Sequence, residues 1–399
     1  MRDAAFLRLW VGTTASGLAT WALPFVLGLA VLHRDLGPAG LGLVLAARTA
    51  GFLAAVAVGG VLADRHSRRA VVLWSALAAA TAAPLLAAGL GRSVLLMTCA
   101  AALAGAGQGA CRPAFQALTA ETVAPERRQQ ANAAMTLAVR SSTLAGPALT
   151  ALLAAFLDVW TLLLGIGLLW LIAAFVPGRG EPGTADTAER APRASFRAEF
   201  VDGIREARRH PWFLAGLGSL TAVIALGYSA TSVALPLISR DRYGTEWVLA
   251  AAMTAYTLGA LGGALVMARW RPRAQGWAAF AGLAAYGFAP LSLVLPVHPA
   301  VVIAAYAVAG IGIELFNVPW FTATQREVAP DKLARVSSLD FLVSYGLAPV
   351  GLALIAPAIT VFGVTPVLAV CAAVCFLVPA GAALVPTARH FARTPAAAD

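Results

Sequence analysis

The sequence predicts an all-α polytopic membrane protein, with twelve transmembrane helices in two pseudo-symmetric six-helix bundles. Three observations predict it: composition, the side-to-side distribution of arginine, and a segment that recurs half a chain later. Of 399 residues, 60% are hydrophobic and only 12% charged, whereas an average soluble domain is about half apolar and a quarter charged. One or two soluble cores cannot hide that much apolar surface. A soluble enzyme, a disordered chain and a disulfide-stapled secreted domain are thereby excluded. Each membrane helix needs about 20 apolar residues, and this length has room for about a dozen with their loops.

The apolar runs place six helices at about 9–31, 38–63, 70–90, 93–119, 130–156 and 159–177, each long enough to cross a bilayer. No small-residue cleavage site closes the first, so it reads as an uncleaved span. A polar stretch follows, and six more helices run at about 212–238, 246–268, 275–296, 299–325, 334–362 and 364–386. The domains are therefore an N-terminal bundle (1–177), a cytoplasmic linker (178–211), a C-terminal bundle (212–388) and a cytoplasmic tail (389–399). The first part of the linker, GRGEPGTADTAERAPR, reads as flexible. Its second part, from Ser195 to Arg209, sets Phe196, Phe200, Val201 and Ile204 at near-helical spacing among charges, which predicts an interfacial helix on the cytoplasmic surface.

Orientation follows from the basic residues. Of 29, only Arg34, Arg92, Arg240 and Arg242 fall in loops on one side, and Arg48, Arg112 and Arg140 fall inside helices; the remaining 22 punctuate the loops and termini of the other side. That asymmetry puts both termini in the cytoplasm and requires an even number of spans. The net charge of +10 therefore belongs to loops, and no nucleic-acid partner is expected. Lys332 is the only lysine. Cys99, Cys111, Cys371 and Cys375 lie in apolar runs without a CxxC pair, which suits packing. The five histidines are in or near loops and form no metal constellation, so neither metal nor cofactor is expected.

The repeat is explicit. Glu121-Thr-Val-Ala-Pro125-Glu-Arg follows the fourth span, and Arg326-Glu-Val-Ala-Pro330-Asp-Lys follows the tenth. At the same offset Gly146 in the fifth span meets Gly351 in the eleventh, and Arg112 meets Asn317. Two six-helix halves related about the membrane normal are one transporter plan.

The loop after the second span reads Gly59-Gly-Val-Leu-Ala-Asp64-Arg65-His-Ser-Arg68-Arg69. It resembles the GxLaDRxxRR motif of the major facilitator superfamily, at that family's place between the second and third spans. The segment RPAFQALTAETVAPERRQQANAAM resembles the drug:proton antiporter branch that includes macrolide and siderophore exporters. The resemblance covers about Phe6 to Arg389. It implies a conformational latch made of Gly60, Asp64, Arg65, Arg68, Arg69 and Glu121. The aspartate would cap the positive N-terminus of the eleventh helix, near Ala334–Ser337, and Arg68 or Arg69 would pair with Glu121. A generic positive-inside loop is the alternative. Gly146-Pro147 is similar to the core of the antiporter motif GxxxGPxxGG, with Ser142 at the first glycine and Thr150-Ala151 at the last two. It implies an antiporter kink, against an ordinary packing bend.

Charges inside the membrane point to function. Glu314 lies near the middle of the tenth span, in GIGIELFNVPW. Its apolar neighbours disfavour a bare charge, so it is a candidate proton carrier; a permanent pair with a buried arginine is the alternative. The fold the resemblance implies lines a central cavity with the first, fourth, seventh and tenth helices, which makes Arg112 the candidate partner of Glu314. Thr20, Trp21, Gln108, Arg140, Tyr228, Asn317, Trp320 and Tyr345 are candidate cavity residues, the aromatics as walls for a flat amphipathic molecule. Lipid-facing or interhelix packing is the alternative for each ring. Asp340, near the start of the eleventh helix, suggests a solvated or capping carboxylate, with a role in transport as the alternative. Two departures stand out. Many relatives carry an acid in the first span, where this chain has Gly17-Leu-Ala-Thr20-Trp21, and other drug exporters carry an arginine where Gly105 stands. Gly105, Gly107 and Gly109 form a GxGxG inside a membrane helix, which reads as packing and not as nucleotide binding.

The expected function is a monomeric secondary transporter in a bacterial inner membrane, its partners being a small-molecule substrate, protons and the bilayer. Proton-driven efflux of an amphipathic drug, antibiotic or other secondary metabolite is one reading, and import or symport of a small solute on the same fold is the other. No catalytic cluster supports an enzyme.

Overall fold

The computed structural model describes residues 4–65, 67–178, 196–245 and 247–392. Every regular element in them is helical. Ten stretches are long and apolar enough to cross a bilayer: Ala4–Leu32, Gly40–Asp64, Arg68–Gly89, Val94–Thr122, Pro211–Asp241, Trp247–Arg269, Gln275–Val294, Pro299–Glu327, Leu333–Phe362 and Val364–Ala383. Arg128–Leu153 and Val159–Phe175 bring the number to twelve among the described residues. The former is less apolar because Arg128, Gln129, Gln130, Asn132 and Arg140 lie along it, and the latter is a short run of 17 residues. Helix starts follow local chemistry. Ser67, Ser93 and Asp158 cap the third, fourth and sixth spans through their side chains. The hydrogen bonds from Thr161 hold the exposed Asp158 carboxyl below its ordinary range. Gly363, at φ +84°, makes the break between the last two spans, a backbone angle that favours glycine.

The flexible part of the linker, residues 179–195, lies outside the described residues, as do 393–399 of the tail. The predicted amphipathic helix is Phe196–Arg208. Its Asp202 meets Lys332 at 3.3 Å and Arg335 at 3.5 Å, so this part of the helix is tied to the start of the eleventh span. The start of the tail is packed as well. Phe391 is fully buried, and Arg326 donates to the carbonyls of His390 and Phe391.

The chain divides into two compact units. One comprises residues 1–131, 138–203 and 328–339, the other 132–137, 204–327 and 340–399. In the first, the second and fourth spans pack most intimately; in the second, the eighth and tenth do so. The sequence repeat recurs inside each unit as close helix contact. Gly105 lies against the Arg48 carbonyl of the second span, and Gly310, at the repeat offset, against the Tyr256 carbonyl of the eighth. Gly107 meets the Ser75 carbonyl, and its counterpart Gly312 meets that of Gly282. Gly146 sits on Trp21 and Ala22 of the first span, as Gly351 sits on Ala225 of the seventh. A Cβ at any of these positions would crowd the facing backbone, which is how small residues bring membrane helices together. Gly105, Gly107 and Gly109 are therefore packing residues.

Candidate functional site

At the predicted cytoplasmic end of the second span, Asp64 is buried against the start of the eleventh. Its carboxylate accepts the backbone N–H groups of Ala334 (3.2 Å) and Arg335 (3.1 Å), and the Arg335 Nε at 2.8 Å. Unpaired N–H groups and the positive helix end both favour an anion there. Gly60, one turn earlier, lets the Ala334 carbonyl and Ser338 come so near that a Cβ would lie 2.7 Å from that oxygen. Arg68, and not Arg69, pairs with Glu121, at 2.6 Å; it also donates to the carbonyl of Pro330. Arg69 donates to the Ala174 carbonyl at the end of the sixth span, 2.6 Å away. The side chain of Arg65 lies outside what the structure describes.

Deeper in the first unit, three spans converge on one guanidinium. Arg48 of the second span donates to Gln108 Oε1 of the fourth at 2.8 Å and to the Thr20 carbonyl of the first at 3.1 Å. One turn further along both spans, Arg112 lies over the Phe52 ring, 5.4 Å from its centre. The chain thus sets a guanidinium beside Gln108 from the second span, because the close approach at Gly105 brings that span alongside. Trp21 is partly exposed, its Cβ against Gly146. Ser142 donates to the Thr14 and Ala138 carbonyls, which ties the fifth span to the first beside Gly146-Pro147. Arg140 is half-buried on the fifth span.

In the second unit, Glu314 is only 1% exposed, and the Asn317 amide lies 3.5 Å from its carboxylate, one turn on. Trp320 departs from the expected cavity wall. Its ring is fully buried, stacked on Phe213 and Phe316 and edge-on to Trp212. The reason is Asp340, whose carboxylate accepts the Trp320 indole N–H at 3.0 Å and the Ser344 hydroxyl at 3.2 Å. Asp340 is consequently buried and bonded, neither solvated nor capping. Tyr345 is partly exposed beside Phe341. Tyr228 is also partly exposed and stands at a cavity that contains Tyr256, Tyr286 and Tyr306.

Several of these residues escape sequence reasoning. Arg335 looks like one more loop arginine. Asn132 and Gln325 form a reciprocal amide pair, at 3.0 and 3.2 Å, with Thr322 accepting a further bond from Asn132 at 2.9 Å. A polar residue near each of two helix ends was the available signal, but nothing in it identifies the partner. Tyr256 and Tyr286 are similarly ordinary until the fold brings them to Tyr228.

Among the described residues, ten apolar helices of membrane length with two further helices between them, intramembrane arginines, a buried mid-span acid and a capped inter-span turn define a polytopic membrane protein. The sequence matches the Major Facilitator Superfamily over residues 9–352, and the chain belongs to that family. No curated protein matches it by sequence. Among solved structures it is similar to the human organic anion transporter MFSD10 (TETRAN), with a TM-score of 0.74 and 16% identity over 95% of this chain and 99% of that one. It is also similar to a bacterial homologue of the iron transporter ferroportin in an outward-facing state, with a TM-score of 0.73 and 18% identity over 95% of this chain and 98% of that one. At such identities the likeness is one of fold. The fold, the family and the apolar helices make this a multi-pass membrane protein of transporter architecture, whose ligand class is small molecules.

Proposed function

We propose that the protein is a secondary active transporter which exports a small amphipathic molecule in exchange for protons. It works as a monomer in a bacterial inner membrane with both termini in the cytoplasm. The observation that carries this reading is Glu314: a carboxyl group 1% exposed near the middle of a 29-residue membrane helix. A charge so placed is costly, and protonation removes the cost, so the group is suited to accept a proton from one side and yield it to the other. Arg112, at the repeat position of Asn317, is its proposed partner and sets how readily the proton leaves.

Alternating access supplies the two sides. Asp64 on the Ala334 and Arg335 amides is the proposed cytoplasmic latch, with Gly60 allowing the approach and the Arg68–Glu121 pair bracing the turn. Gly146-Pro147, packed on Trp21, supports antiport through its similarity to the antiporter motif. The Arg48–Gln108–Thr20 node, with Arg112 a turn away, suits a hydrogen-bond acceptor or anionic group on the substrate. Trp21, Tyr228, Asn317, Arg140 and Tyr345 are the proposed remaining contacts.

Inverted vesicles with an acid interior test the direction, with fluorescein and ethidium as anionic and cationic amphipathic probes. Export predicts that a dye accumulates above its gradient-free level. A gradient that drives preloaded dye out of the same vesicles would establish import, and no gradient effect on either dye would sink the proton-coupled reading.

A further inference from the structure

Four of the six tyrosines in the chain gather at one cavity of about 150 Å³ within the second unit. Tyr228 and Thr231 come from the seventh span, Tyr256 from the eighth, Tyr286 from the ninth and Tyr306 from the tenth. The arrangement is graded. Tyr228 is 42% exposed at the mouth, whereas Tyr286 and Tyr306 are 4% and 3% exposed at the floor. Tyr256 stands edge-on to Tyr286, with 6.2 Å between ring centres. Tyr286 is fixed by a 3.0 Å hydrogen bond to Thr231, which also donates to the Gly227 and Tyr228 carbonyls.

Two further features single this cavity out. First, the helices that form it are irregular just there. The seventh span contains a π-helical turn, Val223–Tyr228, that ends at the mouth, and the ninth contains a 3₁₀ turn, Ala285–Gly287, that carries Tyr286. Such turns weaken regular helix bonding and gather at functional sites, and in a membrane they are tolerated where the chain lines a cavity. Second, the buried Tyr306 hydroxyl makes no well-formed hydrogen bond among the described residues, although the Thr231 hydroxyl lies near enough to interact with it. A buried hydroxyl so poorly paired is costly and calls for an explanation.

We propose that this cavity binds a single six-membered aromatic ring bearing an uncharged hydrogen-bond acceptor, which takes its bond from the Tyr306 hydroxyl. Size, lining and the buried donor each bear on the choice. A cavity of about 150 Å³ is the size that accepts benzene in an apolar protein core. The lining holds no charged side chain, so neither a carboxylate nor an ammonium finds a counter-ion there. Aromatic faces and edges around the ring supply its contacts, and the buried Tyr306 donor at the floor selects a carbonyl or ether oxygen. Tyr306 lies eight residues from Glu314 on the same helix, about 12 Å along its axis. A substrate anchored by its ring at the cavity can therefore extend toward the proposed proton site. This rests on the transport reading for its use, but binding needs no gradient and is measured separately.

Fluorine-observed NMR on the purified full-length protein in lipid nanodiscs tests it, with 4-fluoroacetophenone, fluorobenzene and 4-fluorobenzoate as probes. The expected order is saturable binding of 4-fluoroacetophenone, about tenfold weaker binding of fluorobenzene, which lacks the acceptor, and no saturable binding of 4-fluorobenzoate. Tyr306→Phe should abolish the tenfold preference while retaining ring binding, and Met253→Trp, which fills the mouth, should remove both. The binding is read without any gradient, so a failed proton mechanism leaves this result intact. Equal binding of 4-fluoroacetophenone by wild type and Tyr306→Phe would overturn the proposal, as would binding that Met253→Trp does not diminish or the absence of any saturable component in the wild type.

Discussion

Asp64→Asn keeps the shape of the side chain at the start of the eleventh span and removes its charge. The wild-type carboxylate serves three donors, the amides of Ala334 and Arg335 and the Arg335 guanidinium, at 2.8 to 3.2 Å. Asparagine offers one carbonyl oxygen and turns its NH₂ toward a donor, so at least one of the three contacts becomes donor against donor. Hydrogen bonds to a charged group contribute about 1.5–3 kcal/mol each, and an anion at a helix N-terminus up to about 2 kcal/mol. Relief from desolvating a buried carboxylate offsets part of the loss. A net cost of about 2 kcal/mol to the closed arrangement remains, a shift of roughly 30-fold in a two-state ratio. The readout is the reactivity of Ser337→Cys toward an impermeant maleimide in inverted vesicles, in a chain whose exposed Cys99 is replaced by serine. Ser337 is 7% exposed, so labelling requires the segment to leave the second span. Asp64→Asn should speed labelling up to about 30-fold, while the buried Cys371 and Cys375 stay unlabelled and report an intact fold. An unchanged rate in a folded Asp64→Asn protein would refute the latch.

Other expectations follow from the same contacts. Gly60→Val should open the same segment more severely than Asp64→Asn, because its side chain must displace Ser338 and the Ala334 carbonyl; maleimide labelling of Ser337→Cys measures this too. Asn132→Ala should cost about 1–3 kcal/mol by stranding the Gln325 amide, and adding Gln325→Ala should recover part of that loss in a thermal-stability cycle. Arg48→Gln should raise the KM for fluorescein at least about tenfold and leave ethidium transport little changed; equal effects on both dyes would argue against an anion contact at the node.

Much of the fold is legible in the sequence because the bilayer permits few solutions. Apolar runs of membrane length, arginine in alternate loops and glycines at a common offset all report constraints that act locally or along one axis. The Asp64 motif is legible for the same reason: its position at a span end, with Gly60 a turn before, is a local pattern. Long-range partners are different. Arg335 and Asp340 are both polar residues near the start of one helix, yet one binds Asp64 and the other fixes Trp320, and only tertiary packing decides between them. Trp320 misleads for that reason, since a mid-span aromatic can face a cavity or fill a core with equal sequence merit. The four tyrosines are scattered over four spans, and no spacing along the chain announces that they meet.

The central claim, that Glu314 carries the coupled proton, is tested most directly by Glu314→Gln in inverted vesicles that accumulate fluorescein or ethidium. Glutamine keeps the volume and imitates the protonated carboxyl group. The account predicts loss of accumulation driven by an acid-inside gradient, with dye exchange down its own concentration gradient retained and the protein folded in the membrane. Full gradient-driven accumulation by Glu314→Gln would contradict it and would turn attention to the carboxylates of Asp340 and Asp64.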